Sequence, residues 1–181
     1  MDLTSKSKFL SYILRHHPES IGLEVDQNGW ADISDLITKA QKNGKKIDQD
    51  VIQEVIEKGA KQRFILSNDG NYIRAGYGHS IDVDLQLKPK RPPQKLYHGT
   101  AQYNVDAILD EGISSQSRNF VHLSATKEEA KNVGGRHGHP VILGIQALKM
   151  YEDGIEFYQS ESEKSIWLTN FVSSKYIIEG D

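Results

Sequence analysis

Ser7-Lys8-Phe9-Leu10-Ser11-Tyr12-Ile13-Leu14-Arg15-His16-His17-Pro18 is the stretch from which the fold is read. Phe9, Leu10, Ile13 and Leu14 recur at helical spacing, so they form the buried stripe of an amphipathic helix that leaves Lys8, Ser11 and Arg15 off it. Pro18 ends that helix, because proline disfavours helical geometry in the residue before it. Arg15, His16 and His17 are thereby crowded into the last turn and the exit. Taken alone, such a group suits either of two roles, complementing the negative helix end or serving chemistry that the rest of the chain must supply.

Past the proline, Ile21-Gly22-Leu23-Glu24-Val25 and Trp30-Ala31-Asp32-Ile33 read as two short extended pieces joined by an Asn28-Gly29 turn. Asp32 or Ser34 caps a helix carrying Leu36, Ile37 and Ala40, which ends at Asn43-Gly44, and Asp48 caps another with Val51, Ile52, Val55 and Ile56 inside it. Arg63-Phe64-Ile65-Leu66 and Tyr72-Ile73-Arg74-Ala75 flank Asn68-Asp69-Gly70-Asn71, a β-hairpin signature. Three helices followed by a hairpin form a winged-helix pattern, assigned to residues 1–87. Lys88-Pro89-Lys90-Arg91-Pro92-Pro93 opens a stiff basic linker over 88–94.

Residues 95–181 read as mixed α and β with a curved or split sheet. Leu96-Tyr97-His98-Gly99-Thr100 is a strand entering a tight turn, and Tyr103 to Glu111 is a helix stopped by Gly112. Phe120-Val121-His122-Leu123-Ser124 is a strand, and Thr126 caps a helix that runs to Gly134-Gly135. Val141 to Ile145, Ile155 to Tyr158, Ser165 to Leu168 and Tyr176 to Ile178 are further strands. The fold class expected is α+β, in two domains.

Composition narrows the chemistry. The 181 residues suffice for a core without staples, and the absence of cysteine removes disulfides, thiolate nucleophiles and cysteine-based zinc sites. No signal-peptide-like or membrane-spanning run occurs, so a cytoplasmic protein without a membrane partner is expected, and nothing in the pattern argues against a monomer. The net charge of −3 opposes a protein that coats nucleic acid non-specifically. The charge is uneven: residues 1–95 carry 15 Lys+Arg against 13 Asp+Glu, or +2, and residues 96–181 carry 7 against 12, or −5. An anionic partner would meet a few placed cations rather than a global field.

No phosphate loop, dinucleotide fingerprint or nucleophile elbow occurs. His137 and His139, with His16 and His17, lack the carboxylate or thiolate set that a metal centre needs, so no metal is expected. Arginine and histidine remain: Arg15 and His16 at the first helix end, Arg63 and Arg74 on the hairpin, His79 and Ser80 after it, and Arg118 before the 120–124 strand. Singly, each is an ordinary surface charge. Together they suit a phosphoryl anion, because guanidinium binds phosphate oxygens bidentately and keeps its charge at neutral pH.

These residues sit in a recognisable order. Ser7-Lys8-x-Leu10-Ser11-x-x-Leu14-Arg15-His16-x-Pro18, Gly29-Trp30-Ala31, Lys61-x-Arg63-Phe64, Ile73-Arg74-Ala75 with Gly78-His79-Ser80, Tyr97-His98-Gly99-Thr100, Val121-His122-Leu123-Ser124 and Trp167-Leu168-Thr169 span nearly the whole chain. The sequence resembles the Tpt1/KptA family of RNA 2′-phosphotransferases. The resemblance implies an N-terminal winged-helix RNA lobe and a C-terminal ADP-ribosyltransferase-like lobe that binds NAD. It implies a metal-free reaction in two steps, consuming NAD as co-substrate. First an internal RNA 2′-phosphate attacks C1″ of the nicotinamide ribose and expels nicotinamide. Then the ribose 2″-OH attacks that phosphate, releasing 2′-OH RNA and ADP-ribose 1″,2″-cyclic phosphate.

Carried over by motif, the catalytic residues are Arg15, His16, Arg63 and Arg118. Arg15 and Arg63 would grip the 2′-phosphate, Arg118 would stabilise charge in the second step, and His16 would act as general acid or base. An opposite unit charge at about 4 Å supplies about 4 kcal/mol at an effective dielectric near 20, so each arginine matters. His98, Gly99, Thr100, His122 and Ser124 are assigned to NAD, and Lys8, Arg74, His79 and Ser80 to the RNA. Two departures stand out: Tyr77 occupies a place where the family usually has an amide residue, and Ile166 aligns with the late glutamate of protein-modifying ADP-ribosyltransferases. The alternatives are an ADP-ribosyltransferase that stops after the first step on nucleic-acid phosphates or proteins, and a winged-helix DNA-binding regulator. The third helix, with Asp48, Asp50, Glu54 and Glu57 against Lys58, is a poor major-groove reader.

Overall fold

The structure is a computed structural model that describes residues 2–180. Its contacts divide into two units, the first running to Gln86 and including Glu161–Glu163, the second comprising Leu87–Ser160 and the chain from Lys164 onward. The whole is α+β, with antiparallel pairing in every ladder described. No helix among the described residues is long and apolar enough to cross a membrane.

In the first unit, α1 (Leu3–Arg15) starts where the Asp2 carboxylate accepts from the Ser5 N–H at 2.7 Å. Leu10, Ile13 and Leu14 are wholly excluded from solvent, and Phe9 is half-buried. Pro18 stops the helix as expected and opens a single 3₁₀ turn, Pro18–Ile21, closed by Gly22 in the left-handed region. That turn replaces the extended piece expected over Ile21–Val25, because the Leu23 N–H donates to the Pro18 carbonyl rather than to a ladder. β1 (Ala31–Asp32), α2 (Ile33–Lys42), α3 (Gln49–Lys58), β2 (Phe64–Leu66) and β3 (Tyr72–Ala75) follow. Asp32 and Asp48 accept the third amide beyond themselves, Asp35 N–H and Val51 N–H, each at 2.8 Å. The three strands order as β1-β3-β2, with Ala31 opposite Ile73 and Phe64 opposite Ala75. Leu36, Ile47, Ile52 and Ile73 complete a core with α1 in which each side chain contributes roughly 2–3 kcal/mol.

The second unit opens with residues 88–94 in no regular structure, but they are anchored there: the Lys90 N–H donates to the Phe157 carbonyl at 2.7 Å and Pro92 is buried. β4 (Leu96–Ala101), α4 (Val105–Glu111), β5 (Ile113–Ser114), β6 (Val121–Ser124), α5 (Lys127–Gly134), β7 (Pro140–Ile145), α6 (Ala147–Glu152), β8 (Tyr158–Gln159), β9 (Ile166–Thr169), β10 (Phe171–Val172) and β11 (Ile177–Glu179) complete the chain. Six strands order as β11-β7-β4-β6-β9-β8, and β5 pairs separately with β10. The strand expected over Ile155–Tyr158 shortens to β8, since the Ile155 N–H donates back to the Met150 carbonyl and closes α6.

Two features of this sheet set where its polar side chains can gather. β4 pairs with β7 over six residues, Leu96 to Ala101, but meets β6 only at Tyr97 opposite Ser124. Beyond Tyr97 the two strands part, and the sheet is split. α5 covers β4 at the closest possible range, because a Cβ on Gly99 would collide with the Ala130 carbonyl and one on Gly134 would lie 2.7 Å from the Thr100 carbonyl.

Candidate functional site

The first group of site residues is built on the C-terminal end of α1. A helix end leaves carbonyls without intrahelical partners. Here the Arg15 carbonyl accepts from the Ser80 N–H at 2.9 Å and the Ile81 N–H at 3.3 Å, so the loop after β3 is tied to the helix end. The same loop sets the side chains: Ser80 Oγ lies 2.8 Å from His16 Nδ1, and the Arg15 guanidinium carbon lies 4.7 Å from the centre of the Tyr77 ring. Arg63, just ahead of β2, donates from Nη1 to Ser7 Oγ at 3.3 Å, and the buried Ser7 lies two turns upstream of Arg15. Arg15, His16 and, through Ser7, Arg63 are therefore all mounted on α1. Lys8 is exposed on the same helix.

Two expected RNA contacts prove to be interior residues. Arg74 is 6 % exposed; its Nη1 donates to the Asn28 carbonyl at 3.2 Å, its Nη2 pairs with Glu161 at 2.8 Å, and its face lies 4.5 Å from the Trp30 ring centre. Such a guanidinium is committed to protein partners and braces the hairpin. His79 is 3 % exposed, and its pKa is pushed down to about 4, chiefly by burial and then by the positive charges of Arg15, His16 and Arg74. It is neutral at neutral pH and carries no charge to a phosphate. Ser80 is exposed and holds His16.

The second group lies where the sheet of the second unit splits. A cavity of about 380 Å³ is lined by His98 and Thr100 of β4, Asn104 just before α4, Ala107, Ile108 and Glu111 of α4, and Gly112 to Ser114 with Gln116. Asn104 Nδ2 donates to Thr100 Oγ1 at 3.4 Å. Burial holds His98 below its ordinary pKa, opposed by a hydrogen bond to the His122 backbone. Of the five residues assigned to NAD, His98 and Thr100 line this cavity. Gly99 lies under α5, while His122 and Ser124 sit on β6 on the other side of the split, with His122 Nδ1 3.0 Å from the Phe120 carbonyl. Arg118 is exposed in the turn between β5 and β6, two residues past Gln116, with its N–H donating to the Ser115 carbonyl. It belongs to the second unit, and the other three members of the expected catalytic set to the first.

Sequence reasoning missed Ser7, Asn104, Gln116 and Glu161 as parts of these arrangements. Ser7 carries a signal in hindsight, a small polar residue at the edge of the apolar stripe that ends in Arg15. Glu161 carries none, since its partner is 87 positions away.

Arg15 and His16, with Arg63 tied to Ser7, gather cationic and ionisable side chains about α1, and the comparisons give the chain a class. The model for the family described as "RNA 2′-phosphotransferase, Tpt1 / KptA family" matches residues 2–170. A protein of Acaryochloris marina described as "Probable RNA 2′-phosphotransferase" is 50 % identical over 177 residues, covering 98 % of this chain and 97 % of its own. Proteins of the same description from Agrobacterium fabrum and Escherichia coli are 47 % and 45 % identical, over 96 % and 97 % of this chain and 92 % and 95 % of theirs. The protein is thus a transferase. It belongs to the Tpt1/KptA family of RNA 2′-phosphotransferases.

Proposed function

We propose that this chain removes an internal 2′-phosphate from RNA in an NAD-consuming reaction of two steps, with a winged-helix-type first unit serving the RNA and an ADP-ribosyltransferase-like second unit serving NAD. The observation that carries this reading is the gathering of Arg15 and His16 at the end of α1, with Arg63 tied to the same helix through Ser7. A dianionic phosphate that must approach another anion needs its charge offset before reaction, and side chains already held in place offset it without further ordering cost. The acidic side of α3, where Asp48, Asp50, Glu54 and Glu57 share one shallow depression, weighs against a DNA reader.

The cavity at the split of the sheet fits the adenosine and ribose chemistry of NAD. Its volume lies in the range of small-molecule sites, and it mixes apolar Ala107 and Ile108 with the hydrogen-bonding Thr100, Asn104 and Gln116. His98, neutral at neutral pH, acts there as a hydrogen-bonding group rather than as a charge. Bound NAD supplies the C1″ carbon on which a 2′-phosphate oxygen forms its bond as the glycosidic C–N bond breaks. Arg15 and Arg63 hold that phosphate in line. In the second step the ribose 2″-oxygen gives up its proton and bonds to phosphorus as the bond to the RNA 2′-oxygen breaks, and that oxygen leaves with a proton. The 2.8 Å contact between Ser80 Oγ and His16 Nδ1 orients the imidazole and leaves Nε2 to exchange a proton with the substrate. Arg118 takes the charge that accumulates on the phosphoryl oxygens in that step.

Incubation with NAD and a short RNA bearing one internal 2′-phosphate, without added metal, is the test. Conversion to 2′-OH RNA with an equal yield of ADP-ribose 1″,2″-cyclic phosphate is expected. Folded protein that leaves both substrates unchanged at saturating NAD would sink the reading, and ADP-ribose retained on the RNA would point to a transferase that stops after the first step. Arg118→Ala should leave NAD affinity within about threefold while ADP-ribosylated RNA accumulates, because a charge needed only in the second transition state raises only that barrier.

A further inference from the structure

We infer that Tyr77 is a positioning residue for Arg15, its ring forming one wall of a slot, and the bare Cα of Gly78 another, in which the guanidinium is held for the phosphate. The inference rests on the proposed phosphate-gripping role of Arg15. Tyr77 is 7 % exposed and Arg15 8 %, so the 4.7 Å contact between guanidinium carbon and ring centre is withdrawn from water, where a cation–π attraction reaches the upper part of its range.

Gly78 supplies the second wall. Its φ is +88°, and a Cβ there would stand 3.2 to 3.3 Å from Arg15 Cζ, Nε and Nη1. Any side chain at 78 would both strain the backbone and push the guanidinium aside. The Ser80 and Ile81 amides pin the Arg15 carbonyl, so backbone and side chain of one residue are fixed by one five-residue loop. A free arginine has several rotatable bonds to order whenever it meets an anion. The aromatic ring removes much of that cost in advance, and it does so without competing hydrogen bonds for the guanidinium edge that phosphate oxygens need. An amide side chain at this position would instead offer a carbonyl to that edge.

The experiment replaces Tyr77 with Phe, with Leu and with 3,5-difluorophenylalanine, which keeps the ring shape but weakens its quadrupole. Steady-state kinetics on 2′-phosphorylated RNA and the melting temperature are read for each. Phe should stay within about twofold of the parent, and Leu should lose roughly 3- to 30-fold in kcat/KM for the RNA at a similar melting temperature, with the fluorinated ring between them. In an Arg15→Ala background Tyr77→Leu should have no further effect, since the coupling partner is gone. Leu equal to Phe, the fluorinated ring equal to Phe, or an equal loss with and without Arg15 would each overturn the inference. Should Tyr77→Leu fail to fold, the fluorinated series decides alone. Inactivity of the parent would reject the functional reading instead, and Tyr77 is then read by NMR: the Arg15 Nε–Hε proton should be shifted upfield by the ring current in the parent and Phe variants, and an unshifted proton overturns the contact.

Discussion

His79 shows how one residue converts its surroundings into a pH dependence. Buried among Arg15, His16 and Arg74, it has a folded-state pKa of about 4 against an unfolded value near 6.5. The unfolded chain therefore binds the extra proton first, so stability is fully present above about pH 6.5 and is lost as the pH falls towards 4. The upper limit of that loss is about 3 kcal/mol. Urea denaturation of the parent at pH 7 and pH 4.5 should show a drop that His79→Gln reduces, and an unchanged difference in that variant would remove His79 as the cause. Arg74 and His79 were assigned to the RNA from their motifs, and what the structure adds is their burial, which no single position reveals. The places of Arg15 and His16 at the end of α1 were legible because Pro18 and helix periodicity fix where that helix stops, whereas the approach of Arg63 to Ser7 spans 56 positions.

At the scale of elements, the helix caps and stops were readable, because Asp32, Asp48, Thr126 and Pro18 act within a few residues of themselves. The β5 and β10 pair was not, since two-residue strands carry no periodicity and Ser114 meets Phe171 from 57 positions away. A split sheet was expected, but not that β4 and β6 part after Tyr97, and α5 lies against the same strand β4. That pressing yields a test. Gly99→Ala would drive a methyl into the Ala130 backbone, where neither partner is a flexible side chain. We expect a loss of about 2–3 kcal/mol or more in denaturant-induced unfolding, larger than for an alanine at an exposed turn glycine such as Gly154, which has nothing near its Cβ position. Equal effects at the two sites would show that α5 does not lie against β4 in solution. The same closeness means that a glycine in a cofactor-like motif is accounted for by packing alone.

For the whole molecule, a net charge of −3 with +2 in residues 1–95 and −5 in residues 96–181 leaves RNA to be held by a handful of cations. If Lys8, Arg15 and Arg63 are the principal phosphate contacts, the logarithm of RNA affinity should fall with the logarithm of salt at a slope of about −2, or roughly 15- to 20-fold between 50 and 200 mM salt. A slope steeper than about −5 in a filter-binding titration would instead mean a long backbone track. The basic proline-rich stretch 88–94 was read as a linker, and it belongs to the second unit, which begins at Leu87. The return of Glu161–Glu163 to the first unit was not anticipated, since three polar residues between two short strands announce no destination.

That return has a consequence for synthesis. Glu161 supplies the carboxylate for buried Arg74, and Ser162 occupies the space beside Gly76, so the first unit lacks a counter-ion and a packing partner until residue 163 of 181 has been made. Domains that are contiguous in sequence fold as they leave the ribosome. Here the amino-terminal unit must wait, incompletely neutralised, for almost the entire polypeptide, and a nascent chain arrested at residue 130 should be cut by protease within the hairpin that the finished protein protects.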